Sequence, residues 1–454
     1  MTLDRRTLLA ASFATSAAAT STATAAEQKT LREAFRAIGN EIVAGVLPDS
    51  PADQTQALQS GIDRAAETGA PVVLPAGVVQ VSDLKLRANT KLIGQNRAAT
   101  LKFAGGAAFV TAERAKDIVI DGVIFDGAWL AYNEGRGEGL VSLATCAGLR
   151  IENSEIRNSA KSGLSLVSCS GRISGNIIHS ILDAALKSLD AAGLAITGNT
   201  VTTCGNNGIL VWRLERGEDG TIVSGNRVTH IRHAAGGTGE FGNAINVYRA
   251  GSVIVSNNRI SDCAYTAVRG NAASNIQIIA NSCERMGEVA IYSEFGFEGA
   301  IIANNLIDTA AAGISVTNFD EGGRLAVIQG NLIRNLVRRE FERDDKRGEG
   351  IGVEADAVVS GNTIENAPTA GIQIGWGPFL RDVSVTGNII RRSKVGISVS
   401  SVPETGQCLI ANNLISKTSD GAVRAMNKGA VFGPDLLREP AAAQRITLSG
   451  NVAV

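Results

Sequence analysis

The stretch GIQIGWGPFLRDVSVTGNII, residues 371–390, holds two short runs in which apolar residues alternate with others, joined by a turn and closed by a Gly-Asn corner. Ile372 and Ile374 in the first run, and Val383 and Val385 in the second, follow the period of two that marks a strand with one buried face. β-branched residues fill these positions, as strand packing favours. The stretch therefore predicts two β-strands and a bend, and such a unit needs neighbours to cover its apolar side.

The Gly-Asn corner recurs through most of the chain, usually at intervals of roughly 23 to 26 residues. Its asparagine stands at Asn153, Asn176, Asn199, Asn226, Asn258, Asn305, Asn331, Asn362, Asn388, Asn413 and Asn451, with Ser282 in its place once. Repetition at this period predicts a solenoid whose turns stack as parallel strands about 4.8 Å apart. We interpret the asparagines as structural, since stacked amides can hydrogen-bond from turn to turn and Asn tolerates the αL geometry of a bend.

A leucine-rich repeat is the competing solenoid, because it has a similar period and also uses Asn. That architecture needs Leu at several fixed places in each unit, and here the corresponding positions carry Ile, Val, Gly and Ala. The sequence therefore favours an all-β solenoid of about 12 turns in one long domain, since a solenoid grows by adding repeats. The net charge of −1 argues against nucleic acid or an anionic lipid surface as a partner.

The first residues predict an export signal. Arg5 and Arg6 precede a mildly apolar stretch rich in Ala, Ser and Thr, and residues 23–26 offer small side chains for cleavage. This pattern resembles a twin-arginine signal, which implies the twin-arginine export machinery as a partner and a periplasmic or secreted protein. No later apolar run approaches the roughly 18 residues of a membrane span, so stable membrane insertion is not expected after removal of residues 1–26.

Two helical patterns follow the signal. Residues from Leu31 to Ala44 have apolar side chains at helical spacing, and a second helix is predicted with Asp53 as its N-cap and Gly69 at its end. We therefore divide the chain into the signal (1–26), a helical cap with the first strands (27–100) and the solenoid repeats (101–454).

The opening of the chain carries a family resemblance in four segments: DQTQALQ at 53–59, IDRA at 62–65, VLPAG at 73–77 and LIG at 92–94. In this order they resemble the opening of pectate-lyase-type right-handed parallel β-helix proteins. The resemblance implies a right-handed parallel β-helix, in which the helix caps strand edges that would otherwise template aggregation. The export signal and the repeats together also resemble a bacterial family of exported repeat proteins of unassigned activity.

Outward residues on the strand that begins Gly-Ile or Ala-Ile form two columns across successive turns. The first column begins with Val141, Ser165 and Lys187, and the second with Leu143, Val167 and Leu189. In a chain with three Trp and four Tyr, the presence of Trp212, Tyr248 and Tyr292 along these columns predicts an aromatic strip. Such a strip, interspersed with Arg and Asn, suits sugar rings and their hydroxyl or carboxylate groups. The predicted polysaccharide-binding residues are Trp212, Arg213, Asn246, Tyr248, Arg249, Asn271, Gln373 and Trp376. The alternative is that loops bury the aromatic rings.

Two arrangements of residues in the same columns would give catalysis. Glu294 and Glu354 lie two turns apart, roughly 9 to 10 Å by the strand spacing, near the upper limit for an inverting glycoside hydrolase. Alternatively, Lys187, Arg269 and Tyr292 would serve a polysaccharide lyase, with a cation on the sugar carboxylate and a base removing the neighbouring proton. The polygalacturonase motifs Asn-Thr-Asp, Gly-His-Gly and Arg-Ile-Lys are absent from the sequence. A non-catalytic carbohydrate-binding or structural repeat protein is therefore the alternative hypothesis.

The sequence predicts no cofactor and no metal centre, and metal delivery through His179 and His230, two turns apart, is the weakest hypothesis. Cys146 and Cys169 each precede a corner asparagine by seven residues. They are expected to stack on adjacent turns, as a disulfide or as a reduced pair. Two insertions, His230–Gly242 and Asn335–Glu349, widen the same corner. These insertions either overhang the binding face or are solvent-exposed loops without a functional role.

Overall fold

The computed structural model describes residues 46–133, 137–237, 239–339, 347–440 and 445–454. The predicted export signal and the predicted helix between Leu31 and Ala44 lie outside the described residues. Within the described ranges, no helix is long and apolar enough to cross a membrane.

One α-helix, α1 (Thr55–Thr68), covers the first turn of the solenoid and buries Leu58, Ile62 and Ala65. It ends as predicted at Gly69, whose φ of 74° lies in the αL region. The predicted N-cap was wrong by one residue, since the N-cap position is Gln54. The Gln54 side chain forms hydrogen bonds with the backbone N–H and carbonyl of Leu47. Asp53 instead accepts a hydrogen bond from the Thr55 backbone N–H at 2.7 Å.

The strands form three parallel ladders, and each turn of the chain contributes one strand to each ladder in the order 1, 2, 3. Ladder 1 contains β1 (Val72–Val73), β4 (Lys91–Ile93), β7 (Val119–Asp121), β10 (Leu149–Glu152), β13 (Gly171–Ser174), β16 (Leu194–Thr197), β19 (Ile222–Ser224), β22 (Ile254–Ser256), β25 (Ile276–Ile279), β27 (Glu298–Ala303), β29 (Arg324–Gln329), β32 (Ala355–Ser360), β34 (Arg381–Thr386), β36 (Cys408–Ala411) and β40 (Ile446–Ser449).

Ladder 2 begins after the Asn corner and contains β2 (Gly77–Val81), β5 (Ala99–Phe103), β8 (Val123–Asp126), β11 (Glu155–Ser159), β14 (Ile177–Ile181), β17 (Thr200–Cys204), β20 (Arg227–Ile231), β23 (Arg259–Cys263), β30 (Leu332–Arg334), β37 (Leu414–Ser416) and β41 (Val452–Ala453). Ladder 3 contains β3 (Leu84–Lys85), β6 (Val110–Glu113), β9 (Gly139–Ala144), β12 (Ser162–Val167), β15 (Ala184–Leu189), β18 (Asn207–Glu218), β21 (Ile245–Gly251), β24 (Val268–Asn271), β31 (Glu349–Val353) and β38 (Val423–Asn427).

Four long strands run through ladders 2 and 3 without a break: β26 (Ser282–Glu294), β28 (Leu306–Val316), β33 (Thr363–Ile374) and β35 (Ile389–Ser400). A short 3₁₀ helix, Phe319–Glu321, follows β28, and β39 (Ala430–Asp435) pairs antiparallel with β38. The 15 strands of ladder 1 correspond to about 14 turns, slightly more than the predicted 12. The all-β solenoid of parallel strands is confirmed.

The core is built from columns of aliphatic side chains that point inward from all three ladders. In ladder 3, Ile209, Ile245, Val268, Ile291 and Ile314 are aligned on successive turns and fully buried. The alternating pattern of the sequence therefore corresponds to burial, because every second side chain of a strand points to the same face.

Stacked asparagine amides join the turns at the corner between ladders 1 and 2. The Asn305 side-chain amide donates to Asn331 Oδ1 at 3.0 Å and to the Ile278 carbonyl at 2.9 Å. Its own Oδ1 accepts the backbone N–H and the side-chain amide of Asn281, at 2.9 and 3.0 Å. The same pattern links Asn176, Asn199, Asn226, Asn258, Asn281, Asn305, Asn331, Asn362, Asn388, Asn413 and Asn451.

Two corner positions differ from the prediction by one residue. Asn281, not Ser282, belongs to the amide ladder, and Ser154 occupies the position that was assigned to Asn153. Asn153, with a φ of 52°, occupies the αL position just before the ladder residue, where Gly175 stands one turn later. The αL bend and the stacked amide are therefore separate, adjacent positions, and Asn is compatible with both.

All six cysteines are buried and free. Cys146 and Cys169 lie on adjacent turns as expected, and they are present as thiols. The neighbouring Cys169 thiol lowers the pKa of Cys146, although burial opposes this shift.

We expect Asn305→Ala to lower the free energy of unfolding by about 3 kcal/mol or more. The substitution leaves the buried amide groups of Asn281 and the Ile278 carbonyl without their partners, and each such loss costs about 1–3 kcal/mol. Urea titration followed by circular dichroism measures the change. The control is Asn304→Gly at the exposed αL position next to it, which should be nearly neutral. Equal losses in the two variants would contradict a structural role for the amide ladder.

Candidate functional site

The pairing of ladder 3 aligns the two outward columns from Ser165 and Val167 onward, as predicted. At the N-terminal end the prediction was shifted by one residue. Val141 pairs with Leu164 and both are buried, so Ser142 and not Val141 lies in the outward column. The shift arises because β9 begins Gly-Leu-Val, which places two apolar residues in succession.

A cavity of about 410 Å³ lies on the outer face of ladder 3, at β18, β21 and β24. Trp212 and Tyr248, on adjacent turns, meet edge to face with their ring centroids 5.9 Å apart. The insertion between β20 and β21 closes one side of the cavity. We call this the aromatic cavity, and its lining residues are Trp212, Gly239, Glu240, Asn246, Tyr248, Arg269, Asn271 and Phe295.

Arg269 is held in place by three contacts. Its Nε lies 2.5 Å from Glu294 Oε1, and its Nη1 donates to the Gly239 carbonyl at 2.5 Å. The guanidinium also lies 5.3 Å from the ring centroid of Tyr292. Glu294 is only 4% exposed, and this burial raises the pKa of its carboxyl above the usual range even though Arg269 opposes the shift. Asn271 donates to the same carboxylate at 3.2 Å, so Glu294 is a buried anchor behind the cavity wall.

Two buried polar atoms of the lining residues have no hydrogen-bond partner among the described residues: Asn246 Oδ1 and Trp212 Nε1. Asn246 is 5% exposed. A buried polar group left unpaired costs about 1–3 kcal/mol, so such atoms favour a ligand that supplies the missing donor or acceptor. Together they offer one acceptor and one donor beside two aromatic rings.

Three further predicted residues surround this cavity without lining it. Tyr292 is half-buried; loss of solvent around its hydroxyl raises the pKa of that group, and the residue lies near the ion pair between Arg347 and Glu288. Arg249 stacks on Tyr248 at 4.9 Å and donates to the Leu214 carbonyl. Arg213 reaches the Ala191 carbonyl at 3.4 Å. Arg249 therefore supports the outer edge of the aromatic pair.

Three predicted residues lie elsewhere along ladder 3. Lys187 is three strands before Arg269 in the same column, about 14 Å away by the strand spacing. Gln373 is four strands beyond Arg269, about 19 Å away, and lines a separate cavity. Trp376 lies just after β33 in a turn closed by its bridge to Phe379. The predicted binding and catalytic residues therefore do not form one continuous site, because they lie at separate positions along ladder 3.

Glu354 has a different environment from Glu294. Its carboxylate accepts the backbone N–H of Phe319 at 2.7 Å, at the start of the 3₁₀ helix that belongs to the intervening turn. It is 9% exposed, and burial raises the pKa of Glu354 to about 7. It is not among the residues that line the aromatic cavity.

The sequence matches the family described as the right handed beta helix region, over residues 88–228 and 214–388. The chain belongs to this family. The right-handed parallel β-helix implied by its opening residues is thereby confirmed. No curated protein sequence matches the chain.

Several solved structures share the β-helix fold. The N-terminal fragment of bacteriophage phi29 gene product 12 aligns with 94% of this chain and 73% of its own, at 15% identity and a TM-score of 0.52. The adhesin PfbA of Streptococcus pneumoniae covers 86% of this chain and 92% of its own, at 16% identity and a TM-score of 0.47. A GH87 α-1,3-glucanase catalytic unit from Streptomyces thermodiastaticus covers 91% and 68%, at 14% identity and a TM-score of 0.44. At 15% identity, the similarity to the phi29 fragment shows the fold alone.

Sequence patterns did not single out Gly239, Glu240 and Phe295, which also line the aromatic cavity of this β-helix. Gly239 and Glu240 belong to the His230–Gly242 insertion. This insertion overhangs the outer face of ladder 3, in agreement with the first of the two hypotheses for the insertions. In the second insertion, the described residues Arg338 and Arg347 contact the same side of the β-helix, whereas Asp344 and Asp345 lie outside the described residues.

Phe295 was missed because it follows β26 in an αL conformation, with a φ of 55°, outside the alternation of the strand.

No group of three or more His, Cys, Asp or Glu in the described part of the β-helix is arranged to hold a metal ion.

Removing Arg269 should lower the free energy of unfolding more than removing an exposed cation does. Arg269→Met leaves the buried Glu294 carboxylate unpaired, and we expect a loss of about 3–5 kcal/mol in the free energy of unfolding. The double variant Arg269→Met/Glu294→Leu should recover most of that loss, since it removes the buried charge as well. Arg87→Met, which breaks an exposed pair with Asp63, should change stability by less than about 1 kcal/mol. Similar urea midpoints for Arg269→Met and Arg87→Met would contradict this interpretation.

Glu354 should make the stability of this β-helix depend on pH near neutrality. Its folded-state pKa of about 7 lies above the ordinary value of 4.5, so the folded protein holds a proton that the unfolded chain releases between these values. The free energy of unfolding therefore falls as pH rises from 4.5 to about 7, by about 3 kcal/mol from this group. Glu354→Gln should abolish this contribution, measured as the difference between wild-type and variant stability across pH. Exposed Glu404→Gln should keep the wild-type slope.

Proposed function

We propose that the chain is an exported carbohydrate-binding β-helix protein that holds a polysaccharide along the outer face of ladder 3. The observation that carries the proposal is the aromatic cavity, where Trp212 and Tyr248 stand beside the unpartnered Asn246 Oδ1 and Trp212 Nε1. A sugar ring presents an apolar C–H face and a rim of hydroxyl groups. The aromatic rings match the first and the unpartnered polar atoms match the second.

The dimensions of the site suit a polymer better than a free monosaccharide. The cavity volume of about 410 Å³ falls within the usual range for small-ligand pockets. Its floor is part of a parallel ladder that continues in both directions. A sugar bound between Trp212 and Arg269 therefore leaves room for neighbouring sugars along the ladder.

The geometry favours binding over cleavage. Glu294 is bound to Arg269 and Asn271 behind the cavity wall, and Glu354 is bound to the backbone of the preceding turn. Tyr292, a member of the predicted elimination set, does not line the aromatic cavity, and Lys187 lies three strands from Arg269. Neither the hydrolytic pair nor the elimination set therefore converges on one bound sugar.

Glycoside hydrolysis is the second candidate, and Glu354 is the observation that favours it. A carboxyl group whose pKa is about 7 is suited to general acid catalysis near neutral pH. Release of reducing ends from a polysaccharide, abolished by Glu354→Gln, would establish this second function. Release of unsaturated uronates would instead indicate a lyase. Binding without either product supports the binding protein.

Trp212→Ala should weaken polysaccharide binding by at least about 10-fold, because it removes an aromatic wall and a hydrogen-bond donor together. The measurement is affinity electrophoresis of the wild type and variant against acidic and neutral polysaccharides, followed by calorimetry on those that bind. The matched control is Trp129→Ala, which removes an exposed Trp outside the cavity and should leave binding unchanged. Equal effects of the two substitutions, or no binding of any polysaccharide by the wild type, would refute the proposed site.

A further inference from the structure

A second cavity lies on the same face of ladder 3, toward the C-terminus. Its volume is about 220 Å³, and Gln373, Ser398, Lys394 and Arg338 contribute polar groups to its lining. Gln373 and Ser398 belong to the column that carries Asn246 and Arg269. A ligand that extends from the aromatic cavity along the ladder would therefore meet this second cavity, about 19 Å from Arg269 to Gln373 by the strand spacing.

A buried hydroxyl faces this second cavity. Ser398 is 3% exposed, and its Oγ has no hydrogen-bond partner among the described residues. Asn246 has the same position in the column and the same unpartnered state in the aromatic cavity. Two cavities on one face thus each contain a buried polar atom that the surrounding protein leaves unpaired, and a ligand group can satisfy each of them.

The charge of the second cavity differs from that of the first. Its lining includes the cations Lys394 and Arg338, and the described lining residues include no carboxylate. Among its described lining residues, the aromatic cavity has Glu240 together with Arg269, and Arg269 is paired with Glu294. Two cations beside a hydroxyl and an amide form a favourable environment for an anionic oxygen group.

The walls of the second cavity come from separate elements that fix its shape. Arg338 donates to the Thr369 hydroxyl at 3.3 Å and to the Pro368 carbonyl at 3.1 Å, which places its side chain beside the start of ladder 3 in β33. The turn between β38 and β39 supplies Gly429, and β39 supplies Ala430 and Val431 on another side. At about 220 Å³, the cavity is smaller than typical pockets for whole ligands, so it suits one substituent or one ring of a longer chain.

We propose that this second cavity is a subsite for an anionic substituent, a carboxylate or a sulfate ester, on the polysaccharide that ladder 3 binds. The inference rests on the proposed function, and it makes that function more specific. The aromatic cavity holds a sugar ring by its apolar face, whereas the second cavity selects chains that carry negative charge about 19 Å farther along. The preferred ligand is therefore an acidic polysaccharide.

The test measures binding of five hexasaccharides by calorimetry: oligogalacturonate and oligomannuronate for carboxylates, a carrageenan oligomer for sulfate, and cellohexaose and mannohexaose as neutral chains. Lys394→Met should weaken binding of the anionic hexamers by about 10-fold and leave neutral binding unchanged. Ser398→Ala should weaken the same hexamers without loss of stability, because Ser398 Oγ has no partner to lose. The matched control is Lys116→Met, which removes an equal charge from an exposed site on an early turn.

The results separate the inference from the proposed function. If Trp212→Ala abolishes binding but Lys394→Met behaves like Lys116→Met, or if only neutral hexamers bind, ladder 3 is a carbohydrate site and the anionic subsite is refuted. If no hexamer binds the wild type, both the proposed polysaccharide site and the anionic subsite are refuted. A selective loss with the uronate hexamers identifies the carboxylate as the recognised group, and a selective loss with carrageenan identifies the sulfate.

Discussion

The stacked amides at the corner between ladders 1 and 2 are the constraint on which the rest of the structure depends. From Asn176 to Asn413, each side-chain amide donates to the asparagine of the next turn and accepts from the previous turn, in addition to the backbone hydrogen bonds of the strands. Because the amides are buried, a turn that slipped out of register would leave several polar groups unpaired. The ladder thus fixes one register for successive turns, and that register aligns the outward columns of ladder 3.

The two insertions singled out by the sequence enter at a different corner. The insertions after β20 and β30 enter between ladders 2 and 3, so they lengthen a turn without disturbing the amide ladder or the buried columns. The insertion after β20 brings the Gly239 carbonyl to Arg269 and forms a wall of the aromatic cavity. A repeated scaffold can therefore carry a single, non-repeated site, because the rigid corner and the variable corner are separate.

Charge on ladder 3 is used in two ways. Arg269 is tied to Glu294, Gly239 and the Tyr292 ring, so its main effect is to shape the aromatic cavity. Lys394 and Arg338 lie around a smaller cavity without a carboxylate among its described lining residues. In our proposal, ring stacking gives affinity in the first cavity and charge gives selectivity in the second.

The sequence by itself determined the parallel solenoid, its helix α1 and most of the outward columns, since alternation and the repeated asparagine express local rules of strands and bends. It misassigned Asn153 and Ser282 by one residue, because Asn suits both the αL bend and the amide ladder. Only the tertiary structure decided that Trp212, Tyr248 and Arg269 share a cavity while Lys187 and Gln373 do not. Loop residues such as Gly239 and Phe295 obey no period, and distances across turns depend on how insertions fold over the face.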